Sequence, residues 1–417
     1  MSAERSAGVD RSSNAAGFDP TAPGFFEDPY PHYERLRSQS PTHVDGRGIV
    51  FVFRYDDVRN VLIDPQRTSM DRSGALPPRA DGTRRAGPPT FPSAVLNCDP
   101  PDHKRLRRLL QPAFTQRSLD ALEAWMDGEL GRLLDRLERT AASNGGVVDL
   151  ITGLAFPFPF RVVSQIVGMP PGRDTQIRDW AHAIRLASDP IVPRDQVASA
   201  VTAYQEINEY VRREVLPWRR ANPGDDLLSR LLHAEGEDGL TTEELLDNVG
   251  LLYVAGHETT TGLIGNAVLN LLRHREQLER LRAAPDLLPN AIDELNRFDS
   301  PVQFAWRYVT ADLDVADATL TRGDMAFVCV GSANRDPSQF GASADRLDID
   351  RANASDLVSF GAGLHYCLGA NLARREAGLV VRRLFERFPA LDLAGDPVRG
   401  RSITFRSLEH LPVSLGS

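Results

Sequence analysis

The stretch Phe360-Gly361-Ala362-Gly363-Leu364-His365-Tyr366-Cys367-Leu368-Gly369 decides how this chain is read. One cysteine sits in a glycine-punctuated turn and leads into a good helix-forming sequence, Ala370-Asn371-Leu372-Ala373-Arg374-Arg375-Glu376-Ala377. Backbone N–H groups of such a turn, and the positive end of the following helix dipole, both favour the ionised thiolate. The glycines let backbone approach something large and flat. A lone cysteine is usually a small buried hydrophobe. One framed by Phe360, two spaced glycines, His365 and Gly369 is better suited to presenting a thiolate, and a thiolate on a rigid loop against a flat partner meets the need of an axial ligand on haem iron.

A second stretch breaks local rules in a way that also points to chemistry. Thr241-Thr242-Glu243-Glu244 has the Thr-x-x-Glu spacing of a capping box and opens a long apolar segment reaching about Arg273. Inside it lies Ala255-Gly256-His257-Glu258-Thr259-Thr260. Glycine in mid-helix costs about 1 kcal/mol against alanine, and an adjacent acid and hydroxyl run against apolar packing. Local rules that fail together mark a functional site. Ala255 and Gly256 would leave room for a ligand, and the Thr259 hydroxyl can bond back to a carbonyl one turn earlier. His257 is expected to point into helix packing.

These two motifs, with Glu294-Leu295-Asn296-Arg297 between them, resemble those of the cytochrome P-450 family, in the expected order and from about Phe18 onward. The resemblance implies a mainly α fold with a minor β part, haem lying between a long central helix and a Cys-ligand loop. It implies haem b as cofactor, Cys367 as the axial ligand to its iron, and Phe360, Gly361, His365 and Gly369 as the loop around it. Ala255 would flank the cofactor. Glu258 and Thr259 would be the acid–alcohol pair that relays protons to bound dioxygen, a need set by O–O heterolysis. Glu294 and Arg297 would form a scaffold with a later arginine, for which Arg346 in Ala344-Asp345-Arg346-Leu347 is the candidate. Asn296 and Leu347 depart from the commoner family residues and touch packing only. His103 and Arg107, at i and i+4, together with Arg307 and His365, would meet the haem carboxylates, which arginine suits through its fork.

The same resemblance implies a monooxygenase that inserts one oxygen atom from dioxygen into a small apolar organic substrate, by hydroxylation or epoxidation, in natural-product biosynthesis. Electrons would come from ferredoxin and an NAD(P)H-dependent ferredoxin reductase. Lys104, Arg105, Arg108, Arg374 and Arg375 offer a basic rim for that partner. The substrate pocket by family position would draw on Val95, Leu96, Leu252, Val302, Phe304, Trp306 and Ile403, several of which are expected to prove plain core. A peroxide-dependent peroxygenase, or a haem sensor or carrier without catalysis, are the alternatives; the Glu258–Thr259 pair argues against both.

Composition agrees with an enzyme of this kind. The chain has 417 residues, 41% hydrophobic and 25% charged, with a formal net charge of −9, which argues against non-specific nucleic-acid binding. Cys98, Cys329 and Cys367 are widely spaced and odd in number, fitting neither a disulfide framework nor a zinc site but a reducing cytoplasm. No membrane anchor or signal peptide is read in Met1–Gly17, a polar stretch expected to be a disordered tail, so residues 18–417 are read as a single haem-thiolate domain. Helices are expected over Pro29–Ser38, Tyr55–Ile63, Pro101–Leu137, Phe160–Val167, Arg194–Arg220, Pro289–Phe298 and Leu368–Phe388. Strands are expected at Ile49–Phe53, between Pro301 and Val330, and around Ile403 and Val413. The loop Asp71–Ser93, dense in Gly, Pro and Arg, reads as a substrate lid in which Arg79, Arg84 or Arg85 would grip a polar substrate group.

Overall fold

Ile49–Val52, Phe304–Val309 and Met325–Cys329 are short, mostly apolar runs that build the main sheet, and because successive side chains point to opposite faces they furnish core on both. The computed structural model describes residues 17–45, 48–75, 90–190, 192–233 and 239–416. Its architecture is mainly helical with minor strand content. The contacts fall into two units, each discontinuous in sequence: Met1–Gly87, Asp293–Cys367 and Ile403–Arg406 in one, Pro88–Ile292, Leu368–Ser402 and Ser407–Ser417 in the other. Apart from Gly17 the expected tail lies outside the described residues.

The first unit holds a five-stranded sheet in the order Thr42–Val44, Ile49–Val52, Met325–Cys329, Phe304–Val309, Thr68–Ser69. Ile49–Val52 pairs with Met325–Cys329 in parallel, Val50 opposite Ala326; the other pairings are antiparallel. One face carries Phe51, Phe304, Phe327 and Cys329 and packs on Phe25, Tyr33 and Leu36. The other carries Val50, Val52, Val309, Ala326 and Val328 and packs on helix Tyr55–Ile63. Ala362 of the cysteine loop lies against this second face.

The second unit is organised by the helix Thr242–Arg273. Its capping box is complete: Glu244 N–H donates to Thr241 Oγ1 at 3.2 Å, and Thr241 N–H donates to Glu244 Oε2 at 2.9 Å. Helices Pro157–Val167, Asp174–Leu186 and Ala370–Arg387 pack around it. Helix Gln116–Ser143 runs against Ala370–Arg387 and is tied to it by Arg375–Asp120, Arg383–Asp127 and Arg387–Asp135 at 2.5, 3.2 and 2.7 Å. Such exposed pairs are worth about 0–1 kcal/mol each.

Several expected elements differ. The segment Pro101–Leu137 is two helices, Asp102–Leu110 and Gln116–Ser143, broken at Gln111–Phe114 where Pro112 lacks an N–H. Arg194–Arg220 divides into Arg194–Tyr210 and Leu216–Ala221 around a widened turn, ahead of Pro217. Asp174–Leu186 is a helix the sequence reading passed over. Ile403 sits in a bend; next to it only Phe405 bridges to Val302, and the regular strand is Leu408–His410.

Candidate active site

Cys367 is held by its own turn. Its N–H donates to Phe360 O at 2.9 Å, Gly361 N–H to Val358 O at 2.9 Å, and Tyr366 N–H to Gly363 O at 3.1 Å. Gly361 and Gly363 take φ of +71° and +68°, left-handed conformations that glycine adopts without strain. At Gly363 space is also short: a Cβ would lie 2.9 Å from Ile63 Cα, so the loop rests directly on helix Tyr55–Ile63. The Cys367 side chain is exposed. Cys329, by contrast, is sealed in the sheet core, where burial pushes its thiol pKa far up. One thiol packs; the other is presented.

Beneath the loop lies a buried ion network. Glu294 and Arg297 are both 0% exposed; Arg297 Nε donates to Glu294 Oε2 at 2.6 Å and Nη2 to Oε1 at 2.8 Å. The third member is Arg351, whose Nε lies 3.1 Å from both carboxylate oxygens. The expectation of Arg346 is corrected: its side chain is exposed, and only its carbonyl enters, accepting from Arg297 and Arg351 at 3.0 and 3.2 Å. Arg297 Nη1 also donates to Asn334 O at 2.6 Å. Asn334 in turn accepts from Val358 N–H at 2.8 Å and donates to Ser359 Oγ at 2.8 Å. Ser359 Oγ donates to the Asn296 carbonyl at 3.2 Å. The network therefore anchors the residues that lead into Phe360.

The long helix is buried at every position from Leu245 to Leu272 except Leu252, Ala255, Gly256, Glu258 and Thr259. Leu252, Ala255 and Thr259 share one face at i, i+3 and i+7, and Ala255 is exposed in mid-helix. The Thr259 hydroxyl donates to Ala255 O at 3.0 Å. Glu258 meets Arg185 of helix Asp174–Leu186, Nε to Oε2, at 2.9 Å. His182 Nδ1 lies 3.2 Å from Arg185 Nη2; burial, then the Arg185 charge, hold the imidazole pKa below its usual value. His257 is fully buried among Phe156 and Phe160, donates from Nδ1 to Tyr253 O at 2.5 Å, and has its imidazole pKa held below the usual value by burial. Gly256 does not make room for a ligand: a Cβ there would lie 2.9 Å from Val163 Cγ2, so its smallness serves the packing of helix Pro157–Val167.

His103, fully buried, and Arg107, half-buried, stand one turn apart on helix Asp102–Leu110. Arg307 is 6% exposed, with Nη1 donating to Trp306 O at 2.8 Å and lying 3.1 Å from Met70 Sδ. His365 is half-buried in the turn that precedes Cys367, and Phe360 and Gly369 are half-buried too. Among the expected pocket residues, Val95, Leu96, Leu252 and Val302 are half-buried. Phe304 and Ile403 are corrected to core, since strand alternation turns Phe304 onto the aromatic face of the sheet and Ile403 packs in the same cluster. Trp306 stacks on Phe327 of that face, centroids 6.0 Å apart. The basic rim is thinner than expected: Arg105 is paired with Glu244 and Asp102, and Arg375 with Asp120. Arg79, Arg84 and Arg85 lie outside the described residues.

Arg185 and Arg351 were not singled out by sequence. Ile177, Trp180, Ala181 and Ile184, at i, i+3, i+4 and i+7, mark the helix that carries Arg185; no sequence signal marks Arg351.

Cofactor fit can be judged from the donors. Among the described residues no group of three or more His, Cys, Asp or Glu could hold a metal ion. An iron held by Cys367 would need its other ligands from a macrocycle, and the exposed thiol on a rigid turn suits such a group. No described helix is long and apolar enough to cross a membrane.

Comparison with known proteins agrees. The Cytochrome P450 family profile matches residues 41–189 and 194–399. Cytochrome P450 107B1 of Saccharopolyspora erythraea is 39% identical over 408 residues, 94% of this chain and 96% of that protein. Cytochrome P450 monooxygenase PikC of Streptomyces venezuelae is 37% identical over 401 residues, 93% and 91% of the two chains. The structure of CYP109E1 from Bacillus megaterium in complex with testosterone superposes with a TM-score of 0.85 at 32% identity, covering 94% of this chain and 99% of that one. A presented thiol and a profile matched along most of the sequence lead to one conclusion: this chain belongs to the cytochrome P450 family of haem-iron monooxygenases.

Proposed function

We propose that this protein inserts one oxygen atom from dioxygen into a C–H or C=C bond of a medium or large apolar natural product, using haem b and electrons from ferredoxin and an NAD(P)H-dependent ferredoxin reductase, in the cytoplasm. The observation that carries the reading is the exposed Cys367 thiol on a turn fixed by its own backbone hydrogen bonds and by the Glu294–Arg297–Arg351 network.

Cys367 would hold the iron through its thiolate, and Arg307, His365, His103 and Arg107 would be the partners of the haem carboxylates. When bound, haem iron supplies the centre that binds and reduces dioxygen. The chain's own task is to manage protons and substrate. Thr259 offers a hydroxyl on the open helix face, and Glu258, oriented by Arg185, is the acid beside it. This pair supports reduction-dependent dioxygen chemistry over direct use of peroxide, because an acid beside an alcohol can hand on the protons that dioxygen reduction consumes. Leu252 on that face, beside the exposed Ala255, and Val95 and Leu96 of the same unit offer half-buried apolar surface for substrate. The complex of a relative with testosterone supports a bulky, rigid, apolar substrate class.

The reduced, carbon-monoxide-bound spectrum tests the ligand: a strongly red-shifted Soret band is expected for wild type and its loss for Cys367→Ser. Turnover of a spectrally identified binder should require ferredoxin, reductase and NAD(P)H. Turnover with peroxide and none with the reducing system would overturn the proposal.

A further inference from the structure

Asp247, on the long helix, is 3% exposed and accepts three hydrogen bonds from two other parts of the second unit. Oδ2 accepts from Ser93 N–H at 2.8 Å; Oδ1 accepts from the Tyr204 hydroxyl at 2.9 Å and from Asn208 Nδ2 at 3.1 Å. The next residue, Asn248, is fully buried and repeats the arrangement. Its Oδ1 accepts from Val95 N–H at 3.0 Å while its Nδ2 donates to Glu244 O at 2.7 Å. Two consecutive helix residues thus hold two alternate N–H groups of the segment Phe91–Asn97.

That segment is under backbone strain. Phe91 has φ of +50°, a left-handed conformation unusual for a bulky side chain. Such strain persists only where the surroundings over-determine it, and it gathers at working sites. Here the surroundings are specific. The Phe91 ring is buried edge-on to Tyr204, centroids 5.3 Å apart, and fills the space over Gly250, where a Cβ would come within 2.5 Å of it. The Phe91 carbonyl accepts from Ala94 N–H at 3.1 Å and from Asn97 Nδ2 at 2.9 Å. Phe91 and Ala94 are buried, while Val95 and Leu96 stay half-exposed. A buried carboxylate is costly unless its lone pairs are satisfied. An apolar residue would serve packing at lower cost, so the acid at 247 has a holding task.

We propose that Asp247 is a positioning residue for substrate selection: it locks Phe91–Asn97 to the long helix and to helix Arg194–Tyr210, so that Val95 and Leu96 form a fixed apolar wall that discriminates by substrate bulk. The inference rests on the reading above that Val95 and Leu96 face the substrate.

Asp247→Asn keeps the shape and turns an amide N–H₂ toward at least one donor. Tyr204→Phe removes one donor and no charge, and guards against a variant that fails to fold. Hydrogen exchange at residues 93–97, which needs no haem, should rise about tenfold in Asp247→Asn, the loss of one hydrogen bond. Stopped-flow absorption on haem-loaded protein would use imidazole and 4-phenylimidazole as small and bulky probes. Association and dissociation of the bulky probe should quicken by about fivefold or more in Asp247→Asn, with imidazole unchanged, and Tyr204→Phe should shift the same way by less. A merely structural role would move both probes alike. Unchanged exchange, or an unchanged ratio between the probes in both variants, overturns the lock. A wild type that answers neither probe overturns the haem-thiolate reading, and the selecting role with it.

Discussion

Arg185 Nε stands 2.9 Å from Glu258 Oε2, with both side chains largely buried, at 7% and 14% exposure. The pair fixes which way the acid points. Removing the guanidinium leaves the Glu258 side chain without its orienting partner. Arg185→Ala is expected to lower kcat about tenfold to a hundredfold, within the range of a positioned proton-transfer group, with little change in KM. The lost turnover should reappear as NAD(P)H consumed without product. Parallel assays of NAD(P)H, product and released peroxide check this; a fall in KM-dependent binding with intact coupling would contradict it.

The Glu294 carboxylate serves two guanidiniums in a buried site. Removing Arg351 leaves the Glu294–Arg297 pair in place but takes a charged donor from the Glu294 carboxylate and from the Phe340 carbonyl, at about 1–3 kcal/mol for each buried group left short of a partner. Arg351→Ala should therefore lower denaturant stability by about 2–3 kcal/mol and loosen haem retention, because Arg297, which holds Asn334, loses the partner that shares its carboxylate. Arg346→Ala, an exposed side chain, should stay within about 0.5 kcal/mol. Urea titrations of the two variants separate the roles.

Glu376 is 1% exposed, and neither of its oxygens has a hydrogen-bond partner among the described residues. Burial raises its pKa well above the usual carboxylate value. The folded state thus holds a proton that the unfolded chain releases above its ordinary pKa. This contribution to stability is full at pH below that value and is lost as pH rises toward the folded pKa, at about 1.4 kcal/mol per pH unit while the two states differ by one proton. Glu376→Gln carries no such loss. The stability difference between variant and wild type should therefore grow in the variant's favour from pH 4.5 to pH 8, as read by urea unfolding across that range; a difference constant with pH would show that Glu376 is ionised in the fold.

What could be read beforehand follows from how local each signal is. The Cys367 turn and the Thr241–Glu244 capping box are set by residues within a few positions of one another, and both stand where the spacing predicts. Arg351 occupies an irregular stretch, where backbone path, not periodicity, decides which of two nearby arginines reaches Glu294. Arg185 pairs with an acid far along the chain, and only the packing of two helices brings them together. Phe304 was legible in part: a strand is expected between Pro301 and Val330, but the run is apolar throughout, so the sequence does not tell which side chains enter the core and which face a pocket.

Gly256 illustrates the same point as a prediction. In sequence it reads as space left for a ligand; in the fold it is the place where helix Pro157–Val167 comes close, with Val163 Cγ2 2.9 Å from where a Cβ would stand. Valine is β-branched and cannot swing its methyl aside without changing rotamer. Nearby, Tyr253 and Ser164 are joined by a close hydrogen bond that ties the same two helices and resists their separation. Gly256→Ala should therefore overpack the contact and cost about 1–3 kcal/mol, outweighing the gain of about 1 kcal/mol that alanine brings to a helix interior. Adding Val163→Ala should restore much of the loss, because the two changes meet at one contact and couple. Thermal unfolding of both single variants and the double variant closes the cycle. Additive losses would mean that the helices do not meet at Gly256.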